Sequence, residues 1–189
     1  MENNDSSQIE FLKACLRREV MMSDKPFSWL RVIHKAIKCP ERRFNFWWRI
    51  AAYLHRTDSR FLQKRAVRIN RRLSLKYGTE IQLSAQIGPG LVISHYQSIV
   101  INGAAVIGHS FKIRQNTTIG ISGHNPEKAP IAIVIGDNVT VGAHSCIIAN
   151  QIRIGNNVTI GAMSFINKDI PDNCIIYTEK TNKLVMRDA

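Results

Sequence analysis

The chemistry on offer in this 189-residue chain is proton transfer by histidine. Imidazole is the side chain whose ordinary pKa lets it exchange protons near neutral pH, and two of the six histidines stand where the surrounding pattern gives way. His95 lies in Ser94-His95-Tyr96-Gln97-Ser98, and His124 lies in a longer excursion from Ile121 to Pro130. His34 and His55 fall in helical segments and His109 follows Gly108 inside the regular pattern, so these three read as structural. His144 follows Val141-Gly142-Ala143 at a corner and reads as exposed or as lining a cleft. Cys15, Cys39, Cys146 and Cys174 are far apart and form no CxxC or CxxH cluster. Neither a zinc site nor a disulfide framework is suggested, and reduced thiols are expected. No protein nucleophile is evident and no metal is called for.

A repeat of six residues positions these histidines. Ile81, Ile87 and Ile93 are six apart; so are Ile101, Ile107, Ile113 and Ile119; so are Ile135, Val141 and Ile147, and again Ile154, Ile160 and Ile166. Neither a helix of period 3.6 nor a strand of period two explains this spacing. A triangular prism does: each hexapeptide makes one short strand on one face, the recurring aliphatic points inward, and a following Gly or Asn turns the corner, where positive φ is expected. About five coils of eighteen fit between Ile81 and Ile166, which predicts a left-handed parallel β-helix. The period breaks three times: by eight between Ile93 and Ile101, by sixteen between Ile119 and Ile135, and by seven between Ile147 and Ile154, the last read as a bulge at Asn150-Gln151. Departures from a regular solenoid mark loops able to carry function.

Residues 1–77 precede the prism, and from Gln8 to about Leu75 their apolar residues recur at helical spacing. About four short helices are expected, interrupted at Pro26 and Pro40, with Ser28, Thr57 and Asp58 as N-caps. This stretch holds 18 Lys/Arg against 7 Asp/Glu, whereas residues 78–189 hold 8 against 7, so the net charge of +12 belongs to the helices. The segment Arg60 to Leu75 reads as a basic amphipathic helix. Such an excess attracts nucleic acid, an anionic membrane surface or a polyanionic substrate. With no zinc-finger spacing, RNA-recognition signature or basic region leading into heptads, nucleic acid is the least expected of the three. The first thirty residues carry charges through every apolar stretch, unlike a signal peptide, and the charge-free run Ile81 to Phe111 is punctuated by Gly, Pro, Asn and His, unlike a membrane span. A cytoplasmic protein, with peripheral contact at the inner face of a membrane, is expected.

Three motifs together resemble the hexapeptide-repeat acyltransferases, in the branch of the serine acetyltransferases and the colanic-acid and capsular-polysaccharide O-acetyltransferases. They are Gly78-Thr-Glu80-Ile-Gln-Leu-Ser-Ala-Gln-Ile-Gly-Pro-Gly-Leu-Val-Ile-Ser-His95, Ile113-Arg-Gln-Asn-Thr-Thr-Ile-Gly120, and Ile160-Gly-Ala-Met-Ser-Phe-Ile-Asn-Lys168-Asp-Ile-Pro-Asp-Asn173. The resemblance covers roughly Tyr77 to Asn173 and divides the chain into helices (1–77), acyltransferase β-helix (78–173) and tail (174–189). It implies that His95 is a general base oriented by Glu80, which lies fifteen residues earlier and so about one coil away. It implies direct transfer of an acetyl group from acetyl-CoA to a hydroxyl through a tetrahedral oxyanion. Acetyl-CoA would lie between coils of neighbouring subunits in a homotrimer, with pairing of two trimers through the N-terminal helices as the further assembly the resemblance allows. Gly120, Gly142, Ala143, Gly161 and Ala162 would approach the pantetheine and Lys168 a CoA phosphate, while Tyr96, His124 and Asn125 would touch the acceptor.

The serine branch carries an Arg-His pair before the proline that re-enters the repeat, and this chain reads His124-Asn-Pro-Glu-Lys-Ala-Pro130 there. The C-terminal Gly-x-Pro-Ala-Lys segment is replaced by Tyr177-Thr-Glu-Lys-Thr-Asn-Lys183. The expected acceptor is therefore a sugar hydroxyl of a surface polysaccharide or its precursor. Serine comes second, and a non-catalytic trimeric scaffold is the reading from another class.

Overall fold

The computed structural model describes residues 2–123, 130–179, 181 and 185. Four α-helices come first: α1 (Glu2–Leu16), running into a π-helical turn at Arg17–Met21, α2 (Trp29–Lys38), α3 (Arg43–His55) and α4 (Arg60–Tyr77). Pro26 falls in the link before α2, and Pro40 opens a 3₁₀ turn before α3. Ser28 is the N-cap of α2, as expected, whereas α4 is capped by Ser59 rather than Thr57 or Asp58: the Ser59 hydroxyl accepts from the Leu62 N–H. That bond satisfies one of the donors a helix start leaves open.

Fourteen short strands follow among the described residues. They are β1 (Thr79–Ile81), β2 (Gln86–Ile87), β3 (Val92–Ser94), β4 (Ile99–Ile101), β5 (Ala105–Ile107), β6 (Lys112–Arg114) and β7 (Thr118–Gly120), then β8 (Ala132–Ile135), β9 (Thr140–Val141), β10 (Cys146–Ile148), β11 (Gln151–Ile154), β12 (Thr159–Ile160), β13 (Phe165–Ile166) and β14 (Ile175–Ile176). They assemble into three parallel sheets: face A, β1-β4-β7-β10-β13; face B, β2-β5-β8-β11; and face C, β3-β6-β9-β12-β14. This is the left-handed parallel β-helix. The aliphatics of the six-residue pattern stack in register, Ile81 on Ile101, Ile101 on Ile119 and Ile119 on Ile147. Ile81, Ile101, Ile113, Ile119, Ile147 and Val141 are fully buried. The last strand, β14, pairs with β12, so the prism reaches into residues 175–176.

The corners differ from the sequence expectation. Left-handed backbone falls not on the glycines after the aliphatics but on non-glycine residues two positions further, at Asn116, Asn138, His144, Asn157, Met163 and Asn173 among others. Asn tolerates this region better than most residues, and Asn138, Asn157 and Asn173 form a side-chain ladder, Nδ2 to Oδ1, at 3.1 and 2.9 Å. The glycines are required for space instead. A Cβ at Gly142 would lie 2.4 Å from the Ala162 nitrogen, and one at Gly136 would lie 2.8 Å from the Gly155 carbonyl carbon. At the third break Ile147 stacks on Ile119 and Gln151–Ile154 pairs residue for residue with Ala132–Ile135, so the additional residue falls in the corner at Ala149-Asn150, beside the expected bulge.

A solenoid leaves the backbone of its first coil unpaired, as any sheet edge does. Here the helices cover it. Trp48 Nε1 and Asn70 Nδ2 both donate to the Ile81 carbonyl, at 3.2 and 3.1 Å, and Arg56 donates to the Ala85 carbonyl at 2.9 Å. Arg49 donates to the carbonyls of Ile87 and Gly88, and Asn45 to that of Leu91. The carboxylate of Glu19 accepts from the N–H groups of Gly90 and Leu91 at 2.9 and 3.0 Å, and from Arg49 at 2.6 and 2.9 Å. Phe44, Trp48, Ala51, Ala66 and Leu73 share one continuous core with the prism. Several of the basic residues that give the helices their charge are thus spent inside the protein, Arg49 among them at 3% exposure.

Candidate functional site

The first break in the repeat is a two-residue bulge at the edge where face C turns into face A. Ser94 is in register with Arg114, and the Asn116 N–H bonds to the Gln97 carbonyl, so Gln97-Ser98 lies under Gln115-Asn116. The residues without a counterpart one coil on are therefore His95 and Tyr96. His95 holds a left-handed backbone, φ 63°, which is uncommon outside glycine, and its side chain is exposed. A left-handed backbone at an exposed imidazole on a bulge, held by a rigid scaffold, is the pattern expected of a residue kept for chemistry, and His144 on the same edge shares the exposure and the positive φ.

Tyr96, expected to touch the acceptor, turns inward instead. Its ring packs against Phe44 and Tyr77 at centroid distances of 5.1 and 5.4 Å, and its hydroxyl donates to the Glu41 carbonyl at 2.7 Å. Burial pushes its phenol up to about 12, with Tyr77 and Glu41 adding to the shift. Tyr96 anchors the bulge to the start of α3, and His95, its neighbour, is projected outward as a result. A residue of this kind shows in the sequence only as an aromatic beside the break.

Glu80 lies outward on β1, in register with Val100, at the same end of the prism. It lines a cleft of about 390 Å3 beneath α4, together with His55, Asn70, Arg71 and Gln82. No hydrogen bond or ion pair joins Glu80 to His95 among the described residues. His55, read as structural, has a buried Nδ1 that meets no partner. His124 and Asn125 lie outside the described residues.

The edge that carries His95 continues upward through Ser98, Asn116, His144 and Met163, each with positive φ. Asn116 Nδ2 donates to His144 Nε2 at 3.1 Å. With strands about 4.8 Å apart, His144 stands about 10 Å along the axis from the coil of His95. Gly142, Ala143, Gly161 and Ala162 stack on this same edge, since Val141 is in register with Ile160. Gly120 ends β7 and Lys168 follows β13, so both lie across face A, at its far edge. Gly120 differs from the other two glycines: a Cβ there would meet only side-chain atoms at 3.4 and 3.5 Å, an ordinary contact. Coil stacking demands Gly142, but it does not demand Gly120.

No protein-family model matches the chain. Over 124 residues it is 37% identical to serine acetyltransferase 3, mitochondrial, of Arabidopsis thaliana, a match covering 65% of this chain and 30% of that protein. Over 111 residues it is 40% identical to WcaB of Escherichia coli K12, named as a colanic acid biosynthesis acetyltransferase, covering 59% of this chain and 66% of WcaB. The chain thus spans less than two thirds of either relative. The crystal structure of the Neisseria gonorrhoeae serine acetyltransferase CysE superposes with a TM-score of 0.66 at 27% identity, over 97% of this chain and 68% of that one. Helices docked on the first coil of a six-residue-repeat prism, and these matches along its length, make the chain similar to the serine acetyltransferases and the WcaB-type acetyltransferases, as the resemblance to the hexapeptide-repeat acyltransferases implies.

Proposed function

We propose that the protein is an acetyl-CoA-dependent O-acetyltransferase acting on a sugar hydroxyl of a surface polysaccharide or its precursor, with His95 as general base. The observation that carries this reading is the exposed imidazole of His95 on a two-residue bulge with left-handed backbone, at the edge where Gly142, Ala143, Gly161 and Ala162 stack. The imidazole removes the acceptor's hydroxyl proton as the oxygen attacks the thioester carbonyl. The tetrahedral oxyanion collapses, the C–S bond breaks, and the imidazolium returns the proton to the leaving thiolate, so that free CoA and an acetyl ester result. Glu80 belongs to this account as the carboxylate that orients the ring once substrates are bound. Catalytic hydrogen bonds are often not yet formed in a chain without substrate.

Acetyl-CoA would lie along the edge of Gly142, Ala143, Gly161 and Ala162, in a groove completed by a neighbouring subunit of a homotrimer, with Gly120 and Lys168 across face A reached by the far part of the molecule. The sugar acceptor is favoured over serine because the excursion lacks the Arg-His pair that would hold an amino-acid carboxylate. Purified protein incubated with acetyl-CoA and either L-serine or a panel of oligosaccharides, read by thiol release, tests this. Turnover with sugar acceptors is expected, and rapid turnover with serine alone would replace this acceptor by serine.

A further inference from the structure

We infer that the outer surface of the helical cap, made by α2 and α4, docks peripherally on anionic phospholipid bilayers. This does not rest on the acyl-transfer reading. The two helices hold ten Lys and Arg, three on α2 and seven on α4, and neither contains an Asp or Glu. All seven cations of α4 are exposed. The acids beside them are Asp58, ahead of α4, Glu41, which already pairs with Arg42 at 3.5 Å, and Glu80, which shares the cleft on the inner flank of α4 with Arg71.

Apolar side chains stand among these charges. The outermost line of α4, at helical spacing, runs Phe61, Lys64, Arg68, Arg71, Leu75, with Phe61 63% and Leu75 80% exposed. On α2 the exposed line is Leu30, Ile33 and Ile37, at 82%, 44% and 66%, flanked by Arg31 and Lys38. The two surfaces join at the end of α2. Arg43 donates to the Ala36 and Ile37 carbonyls and, with Trp47, Arg72 and Lys76, lines one pocket of about 220 Å3 on the flank of α4.

This combination selects among partners. A nucleic-acid or glycan surface would satisfy the cations and leave the aliphatic line of α2 in water. A second copy of the chain could cover the aliphatics but would bring two cationic α4 faces toward each other. The interface of an anionic bilayer accepts both, apolar side chains at the acyl boundary and cations at the headgroups. None of the helices among the described residues is long and apolar enough to cross a membrane, so the contact is a surface one.

Full-length protein is floated with phosphatidylcholine vesicles with or without about one third phosphatidylglycerol, at low salt and at 1 M salt, where charge is screened within about 3 Å. Binding is expected only to the anionic vesicles and only at low salt. Each cation near the surface is worth about fivefold in partitioning, so K64Q/R68Q/R72Q is expected to bind on the order of 100-fold more weakly. L30S/I33S/I37S, exposed positions that leave the core intact, is expected to lose binding while light scattering shows an unchanged mass. Equal binding to neutral vesicles, no binding by the parent protein, or a fall in mass for L30S/I33S/I37S with vesicle binding retained would each overturn the inference. The last result would assign the face to a second copy.

Discussion

Replacing Glu19 by alanine removes the carboxylate through which the helices close the first coil. Glu19 Oε1 accepts three hydrogen bonds, from Arg49 Nη2, Gly90 N and Leu91 N, and Oε2 accepts a fourth from Arg49 Nε. Both side chains are almost completely shielded from water. Breaking such a pair by removing one partner costs about 3–5 kcal/mol, a large part of the roughly 5–15 kcal/mol that holds a domain of this kind together. An ion pair that merely fills space can be replaced by well-packed apolar residues with little loss. This one also satisfies the N–H groups of Gly90 and Leu91 and the carbonyls of Ile87 and Gly88. The double variant Glu19→Met/Arg49→Met therefore leaves four backbone groups without partners, each costing about 1–3 kcal/mol before relaxation, and is expected to be no more stable than Glu19→Ala. Urea unfolding at a fixed protomer concentration measures both, with fluorescence from Trp48 as a local reporter, since that ring is fully buried in the interface and bonded to the Ile81 carbonyl. If both variants unfold within about 1 kcal/mol of the parent, the helices do not stabilise the prism through its open edge and the capping argument fails.

The bulge and the small-residue edge give further expectations. Tyr96→Phe loses the bond to the Glu41 carbonyl, about 1 kcal/mol of stability, and should lower kcat more than it raises KM for acetyl-CoA, because the ring holds His95 in place without touching substrate. Gly142→Ala places a methyl against the backbone of the next coil and should destabilise by about 1–3 kcal/mol, visible as a lower Tm. Gly120→Ala, whose methyl would make only ordinary side-chain contacts, should leave Tm unchanged and raise KM for acetyl-CoA; a fall in Tm as large as that of Gly142→Ala would show that both are packing residues only. Tyr96 itself should titrate near 12 by ultraviolet absorbance. Its pKa is raised by folding, so this contribution to stability is present below the ordinary phenol range and is lost as pH rises through about 10 to 12.

The prism was legible because a recurring aliphatic every six residues has few other physical meanings. Ile81, Ile101, Ile119 and Ile147 are buried and stacked on one another as that period requires. The corners were less so: positive φ was assigned to glycine, the residue that tolerates it best, but the coil uses Asn, His and Met there and keeps glycine for close approach. His95 could be found because it interrupts the period. Tyr96 and Glu19 carry no period of their own. Whether an aromatic beside the break faces a substrate or the core depends on Phe44, 52 residues earlier in the chain, and the partner of Glu19 lies 30 residues away on another helix. The basic helices read as an interaction surface, and the structure divides them: Arg49 and Arg56 serve the first coil, while the cations of α4 face outward.

The central claim is that the bulge exists to present His95 as a base. Its most direct test is kcat/KM against pH for the parent and His95→Ala, with acetyl-CoA and whichever acceptor gives turnover, on protein whose Tm is unchanged. The account predicts a loss on the order of 10²–10⁴-fold and a changed pH profile. Turnover at the parent's rate, with the same pH profile, would contradict it.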